Sequence, residues 1–245
     1  MTATDVTAPE RIVWHDLECG TYDADLRLWH ELAAGAHTPV LDIGAGTGRV
    51  ALALARSGVE VIAVDHDAAL LDELRRRADG LPVRTCVADA RTLTLAETQL
   101  DLALVPMQTI QLLDRDGRAA LLARARAHLR PGGLLALAIA SSDLEPFADD
   151  GVLPAPDEVR LGDTTYRSQP TAVRFVDERV ALERRREILR DGAPPTGRED
   201  LVWLYRLTAR GLAGEATAAG WRALAPRAIP PTAEHVGSVV VMLRA

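Results

Sequence analysis

The sequence predicts an α/β protein built on a doubly wound, mostly parallel sheet with helices on both faces. Three observations carry that expectation. Between residues 39 and 140, short apolar runs alternate with helix-like segments, as in parallel sheets covered on both sides. A glycine-rich turn at residues 44–48 follows the first apolar run. Beyond residue 140 the pattern shifts to alternating stretches, which places an inserted antiparallel β segment between the parallel core and the last elements.

The elements follow in order. Residues 10–34 read as helical, with Leu26, Trp29, Leu32 and Ala33 placed to cap the sheet. Val40 to Ile43 is the first strand, and the glycines lead into a helix from about Thr47 to Arg56. Glu60 to Val64 is the second strand. Asp67 to Ala78 is a helix carrying Leu70, Leu71 and Leu74 at helical spacing, with Asp67 as its cap. Pro82–Val87 and Leu100–Val105 are the third and fourth strands. Residues 116–129 form a helix that stops at Pro131-Gly132-Gly133, and Leu134–Ala140 is the fifth strand. Residues 143–159 are acidic and proline-rich and read as a long exposed loop. Tyr166–Arg190 supplies one or two antiparallel strands, and Leu201–Leu207 another. A helix from Thr208 to Ala219 precedes two further strands, Trp221–Arg227 and Ser238–Leu243, joined by the stiff connector Ile229-Pro230-Pro231-Thr232.

Composition excludes several classes. No apolar run reaches membrane-spanning length, and the first ten residues lack an apolar signal core. The two cysteines, Cys19 and Cys86, make no disulfide framework, which points to a reducing, cytoplasmic setting. The net charge of −7 argues against a general nucleic-acid binder. All 28 basic residues are arginine, and neither lysine nor asparagine occurs, so arginine abundance reflects compositional bias rather than ligand recognition. The Arg184-Arg185-Arg186 run reads accordingly as an exposed charge cluster at a strand edge. No His-x-x-x-His or paired-cysteine spacing suggests a metal, and Asp149-Asp150 reads as a solvated loop.

The segment Val40-Leu41-Asp42-Ile43-Gly44-Ala45-Gly46-Thr47-Gly48 carries the chemistry. A strand ends in an acid, and three alternate glycines turn the chain into a helix whose first N–H groups are free. The spacing is G-x-G-x-G; the last glycine of the dinucleotide fingerprint would fall at Arg49, which weakens a pyrophosphate-binding reading. Val64-Asp65 places a carboxylate at the end of the second strand, where a ribose diol can be held. Val87-Ala88-Asp89-Ala90 places another after the third.

Together with Arg130-Pro131-Gly132-Gly133, these residues resemble the class I, seven-stranded (Rossmann-like) S-adenosylmethionine-dependent methyltransferases, strongly over residues 38–142 and more loosely over the C-terminal helix and strand pair. The resemblance implies a seven-stranded sheet with an antiparallel C-terminal hairpin. It also implies S-adenosyl-L-methionine as cofactor and S-adenosyl-L-homocysteine as product. The glycine loop (Asp42, Gly44, Ala45, Gly46, Gly48) then holds the amino-acid end of the cofactor, Asp65 the ribose, and Asp89 with Ala90 the adenine. His66 flanks the adenine or is an exposed turn residue, and Met107 and Tyr22 are further cofactor contacts.

The acceptor meets the methyl near the ends of strands one and four. Strand four ends in Val105-Pro106-Met107-Gln108, which lacks the Asn/Asp-Pro-Pro-aromatic signature of base-amine methylases and the Pro-Cys nucleophile of cytosine methylases. That favours a small-molecule or peptide acceptor. Gln108 orients that acceptor or caps the next helix. The hairpin turn implied at the ligand edge places Pro230, Pro231, Thr232 and His235 beside the acceptor. His235 is the leading candidate for a general base, since a neutral imidazole takes a proton near pH 7. His15, Glu18 and Tyr22 form a second candidate group on the N-terminal lid, while Trp14 covers the sheet; His30, His37 and His128 read as surface or helix-end residues.

The organisation expected is one domain: a lid at 10–37, a cofactor core at 38–142, an insert at 143–207 for acceptor or dimer contacts, and a closing helix and hairpin at 208–245. Monomer and homodimer both stay open. Two other functions compete with methyl transfer to oxygen or nitrogen of a small metabolite: a non-catalytic cofactor-binding module, and a nicotinamide-dependent oxidoreductase on the same general sheet.

Overall fold

A computed structural model of the chain describes residues 7–140, 153–232 and 235–245. Most of the acidic stretch 143–159, including Asp149 and Asp150, lies outside them. The chain divides into two compact units: Met1–Thr21 with Glu145–Arg206, and Tyr22–Leu144 with Leu207–Ala245.

The second unit holds the parallel core. Its strands are β1 (Val40–Ile43), β2 (Val61–Asp65), β3 (Val83–Val87), β4 (Leu100–Val105), β5 (Leu129–Ala140), β10 (Arg222–Ala223), β11 (Arg227–Ile229) and β12 (Ser238–Arg244). They lie in the order β10-β12-β5-β4-β1-β2-β3, with β11 also paired to β12. β1 to β5 run parallel, and β12 is antiparallel to β5, β10 and β11. This is the doubly wound sheet with an antiparallel C-terminal hairpin that the sequence implies. The expected strand at 221–227 is split into β10 and β11, so the sheet has eight strands.

Alternation along the strands loads both faces. Val40, Val240 and Met242 join one apolar cluster, and Leu41, Val241 and Leu243 the other. The first cluster is covered by α2 (Leu26–Ala33), α3 (Arg49–Arg56) and α4 (Ala68–Arg77), through residues such as Trp29, Leu54 and Leu71. The second is covered by α5 (Arg115–His128) and α6 (Ala209–Ala218), through Leu121, Leu122 and Leu212. α5 ends at His128, three residues before the Pro-Gly-Gly, and β5 starts at once. His128 is a helix-end residue but not a surface one. It is buried, with Nδ1 2.8 Å from the Glu97 carbonyl and Nε2 accepting from the Leu95 N–H.

The first unit is a four-stranded antiparallel sheet, β6 (Asp157–Leu161), β7 (Thr164–Val176), β8 (Arg179–Arg190) and β9 (Thr196–Tyr205), in that order. The sequence suggests fewer strands here and a loop over 157–159, because charged residues interrupt the apolar alternation. α1 (Ala8–His15) and a single π-helical turn at Asp16–Gly20 belong to the same unit. The N-terminal helix is therefore not continuous: it breaks at 21–25, before α2. Trp14 packs edge-on against Tyr166 of β7 at 5.3 Å, so within its unit it covers the antiparallel sheet.

The arginine run is not a strand-edge cluster. β8 is an interior strand, and Arg186 lies between Glu18 (2.7 and 2.6 Å) and Asp200 (2.6 Å). Register explains this: Arg184 and Arg186 alternate with Arg185, so they share one face with Ser168, Arg198 and Asp200, and Arg185 reaches Glu199 on the other.

Candidate active site

The site lies in the parallel unit, where β1, β2, β3 and β4 end. After Ile43 the chain turns at Gly44, Gly46 and Gly48, whose φ angles of +81°, +54° and +94° are disfavoured for side-chain-bearing residues. A Cβ on Gly44 would lie 2.6 Å from Thr109 Cγ2, and one on Gly48 would overlap Leu74 Cδ1. The turn is pinned from the next strand: Gly46 donates its N–H to Asp65 Oδ2 at 2.9 Å. Asp65 Oδ1 accepts from the Asp67 N–H at 2.9 Å and has His66 Nδ1 3.2 Å away. Asp67 caps α4, accepting from Ala69 and Leu70, as its place before an apolar helix predicts.

A cleft of about 280 Å³ opens there. Ile43 and Gly44 line it from β1, Val64, Asp65 and His66 from β2, Ala88 to Arg91 from the β3 exit, and Thr109, Leu112 and Leu113 from the segment after β4. Gly44, Asp65, His66, Asp89 and Ala90 are thus brought together as the sequence suggests. Asp42, Ala45, Gly46, Gly48, Met107, Gln108, Tyr22, Pro231 and His235 lie outside that lining.

The charges around the cleft are carboxylates in three different states. Asp42 is fully buried and neither oxygen has a hydrogen-bond partner. Burial pushes its carboxyl up to about 7, with the Asp65 charge adding to the rise, while the Arg49 charge pulls the other way. Asp89 is the reverse: Arg91 grips both oxygens through its side chain and donates its N–H at 2.8 Å, holding the carboxyl down at about 2. Asp65 is one-tenth exposed and carries the two backbone bonds described above.

After β4, Met107 holds φ +52°, an uncommon conformation for a residue with a side chain. Gln108 precedes the short 3-10 turn Thr109–Leu112; its carbonyl accepts from the Gln111 N–H at 2.8 Å, and its side chain makes no capping bond. Gln111 is buried and its Oε1 accepts from the Ala140 N–H at 2.7 Å, fixing the segment to β5.

A second cluster stands next to the glycine turn. Arg49, the residue after Gly48, donates to Asp25 Oδ2 (2.7 Å) and to the Tyr22 carbonyl (2.7 Å), and its guanidinium lies 5.2 Å from the Tyr22 ring centre. Asp25 also accepts from Trp29 Nε1 at 2.7 Å. Tyr22 is buried and meets the His235 ring edge-on at 5.0 Å. Burial, then the Asp25 charge, raise the Tyr22 phenol above its ordinary value, against a smaller pull from Ser238 and Arg49. His235 and Thr232 close their own loop: the His235 N–H donates to Thr232 Oγ1 (3.0 Å), and the Thr232 N–H to the His235 carbonyl (2.9 Å).

The lid group divides. Tyr22 belongs to the parallel unit, whereas His15 and Glu18 belong to the other. Glu18 is committed there to Arg186 and to the Ser168 hydroxyl (2.7 Å); burial alone would raise its pKa, and these partners hold it below the ordinary value. His15 Nδ1 lies 3.9 Å from Asp16. Sequence reasoning missed Thr109, Arg91, and the Asp25–Arg49 pair. Only Arg91 had a signal, its place directly after Asp89-Ala90.

Residues 40–133 match the family model of the methyltransferase domain. A carboxy-S-adenosyl-L-methionine synthase of Photobacterium profundum is 35% identical over 115 residues, 44% of this chain and 46% of that protein. The chain thus spans less than half the length of the first curated relatives it matches. CalS10, an amino pentose methyltransferase of Micromonospora echinaspora, superposes with a TM-score of 0.72 at 20% identity, covering 100% of both chains. KedS8, a sugar N-methyltransferase of Streptoalloteichus, gives 0.73 at 18% identity over 100% of this chain and 97% of that one. The fold is that of these solved enzymes, and residues 40–133 are those that match a methyltransferase domain.

Proposed function

We propose that the protein is an S-adenosyl-L-methionine-dependent methyltransferase acting on oxygen or nitrogen of a small-molecule acceptor. The observation that carries the reading is the cleft that gathers Gly44, the first residue of the glycine turn, with the Asp65 and Asp89 carboxylates. Its volume is near the lower end for small-molecule sites, the size of a nucleoside. Its electrostatics choose among nucleotide cofactors. Asp65 and Asp89 bring carboxylates to the cleft, the second of them paired with Arg91. The Asp65 charge beside the turn suits a ligand bearing cationic sulfonium and ammonium groups and opposes a pyrophosphate. That disfavours the nicotinamide reading.

When bound, the cofactor supplies an activated methyl on a positively charged sulfur. The chain's own residues do the rest. Asp65 retains lone pairs for a ribose diol, and Asp89, held ionised by Arg91, accepts from an adenine amino group. Gly44 and Gly46 let the backbone approach the ligand without a Cβ in the way. Alignment and exclusion of water supply most of the rate, since charge is lost rather than created as the methyl moves. His235 is the proton acceptor for an acceptor O–H or N–H, and Pro231 and Gln108 wall its side of the site.

The solved relatives whose titles name a sugar N-methyltransferase and an amino pentose methyltransferase support a small polar acceptor. Calorimetry with S-adenosylmethionine, S-adenosylhomocysteine and NADH tests the cofactor: saturable binding of the first two alone is expected, and binding of NADH alone refutes the proposal. A labelled-methyl screen over amino sugars, phenols and amines then tests the acceptor class. Cofactor binding without transfer to any of them favours a non-catalytic module.

A further inference from the structure

We propose that the buried Asp25–Arg49 pair positions the acceptor-side imidazole: it fixes Tyr22, which holds His235, and so ties His235 to the glycine turn. The inference rests on the reading of His235 as the base. Four observations support it. Arg49 follows Gly48 directly, so a movement of the turn is a movement of the Arg49 backbone. The pair is almost wholly enclosed, with side chains 9% and 1% exposed, and Arg49 makes a charge-assisted fork rather than a solvent-screened contact. The same guanidinium bonds the Tyr22 carbonyl and lies against the Tyr22 ring, so Tyr22 is held at both backbone and side chain. The Tyr22 ring, in turn, has the His235 imidazole edge-on at 5.0 Å.

Cheaper ways to stabilise this place exist. Apolar residues of similar volume replace buried ion pairs with little loss of stability. What they do not supply is a fixed direction. The fork fixes Arg49 against α2 through Asp25 and Trp29, and the chain Gly48, Arg49, Tyr22, His235 then runs through buried groups to a half-buried imidazole. Asp25 and Arg49 act through Tyr22, and neither lines the cleft; they are positioning residues.

Nuclear magnetic resonance of the full chain tests this without knowledge of the acceptor. The His235 ring protons are assigned by loss in His235→Gln, and Tyr22→Leu shows how far they move when the Tyr22 ring current is removed. Asp25→Asn and Arg49→Met, each checked for a cooperative melt, should move the His235 signals by at least half of the Tyr22→Leu displacement. Saturating S-adenosylhomocysteine should shift them in the wild type and no longer in these variants. A loss of stability alone would not reproduce a Tyr22-like change at His235. Unmoved His235 signals in whichever variant folds, or an unaltered response to S-adenosylhomocysteine, overturns the inference. If the wild type does not bind S-adenosylhomocysteine, the cofactor reading has failed, and the ligand-free comparison still decides the positioning role.

Discussion

Gly46 donates its backbone N–H to the Asp65 carboxylate at 2.9 Å, so the acid ending β2 holds the turn that follows β1. One side chain therefore shapes the loop and faces the cleft beside it. Its removal damages both: Asp65→Ala leaves the Gly46 and Asp67 amides without their acceptor and takes away the expected ribose contacts. Affinity for S-adenosylhomocysteine should fall by about 1–3 kcal/mol, roughly 5- to 150-fold, by calorimetry. Unchanged affinity in a folded variant removes Asp65 from the site.

Gly44→Ala tests the close approach. The new methyl would sit 2.6 Å from Thr109 Cγ2 at φ +81°, so the turn or the Thr109 segment must move. We expect a stability loss of about 1–3 kcal/mol and at least tenfold weaker cofactor binding. Gly44→Ala combined with Thr109→Ala, which removes both Cγ2 and the Oγ1 that would lie 2.7 Å away, should recover part of both; no recovery would show that the backbone angle dominates.

Asp42 gives a pH signature. Its carboxyl sits near 3.8 when unfolded and about 7 in the fold, so between those values the folded chain holds the extra proton. Stability from this group is greatest below about pH 4, declines as pH rises toward 7 and is flat above. Asp42→Asn, with no charge to bury, should be more stable than the wild type at pH 8 by an amount on the order of 2 kcal/mol, and should lose that part of the pH slope in thermal melts. A bound cation should favour the ionised form. S-adenosylmethionine binding at pH 6.5 should thus release protons, seen as a buffer-dependent heat that vanishes in Asp42→Asn.

Glu18 works in the opposite direction. Its pKa is depressed, so the stability it confers is present above its ordinary range and is lost as pH falls through the folded value. Glu18→Gln leaves Arg186 without its bidentate partner and should cost about 3 kcal/mol or more at pH 7. Cofactor affinity should stay within twofold, because Glu18 is bonded inside the antiparallel unit. A large loss of affinity would return Glu18 to the site.

His235→Ala should keep normal S-adenosylhomocysteine binding and lose turnover by about 10²- to 10⁴-fold once an acceptor is known. Wild-type turnover would end its role as base.

The sequence by itself determined the order of strands and helices in the parallel core, because alternation of period two, helical spacing and the glycine turn are local signals. It placed Gly44, Asp65 and Asp89 at the ends of β1, β2 and β3, where a parallel sheet with right-handed crossovers must bring them to one edge. The tertiary structure alone decided what each acid is. Asp42 and Asp89 look equivalent in the chain, yet one is buried without a partner and the other is clamped by Arg91, and their carboxyl groups differ accordingly. It alone turned Arg186 of the arginine run inward, since a strand becomes interior through pairing partners that composition does not name. It joined Asp25 to Arg49 across 24 residues as well, a contact no periodicity encodes. Local patterns fix elements; charges acquire their meaning from what folding sets beside them.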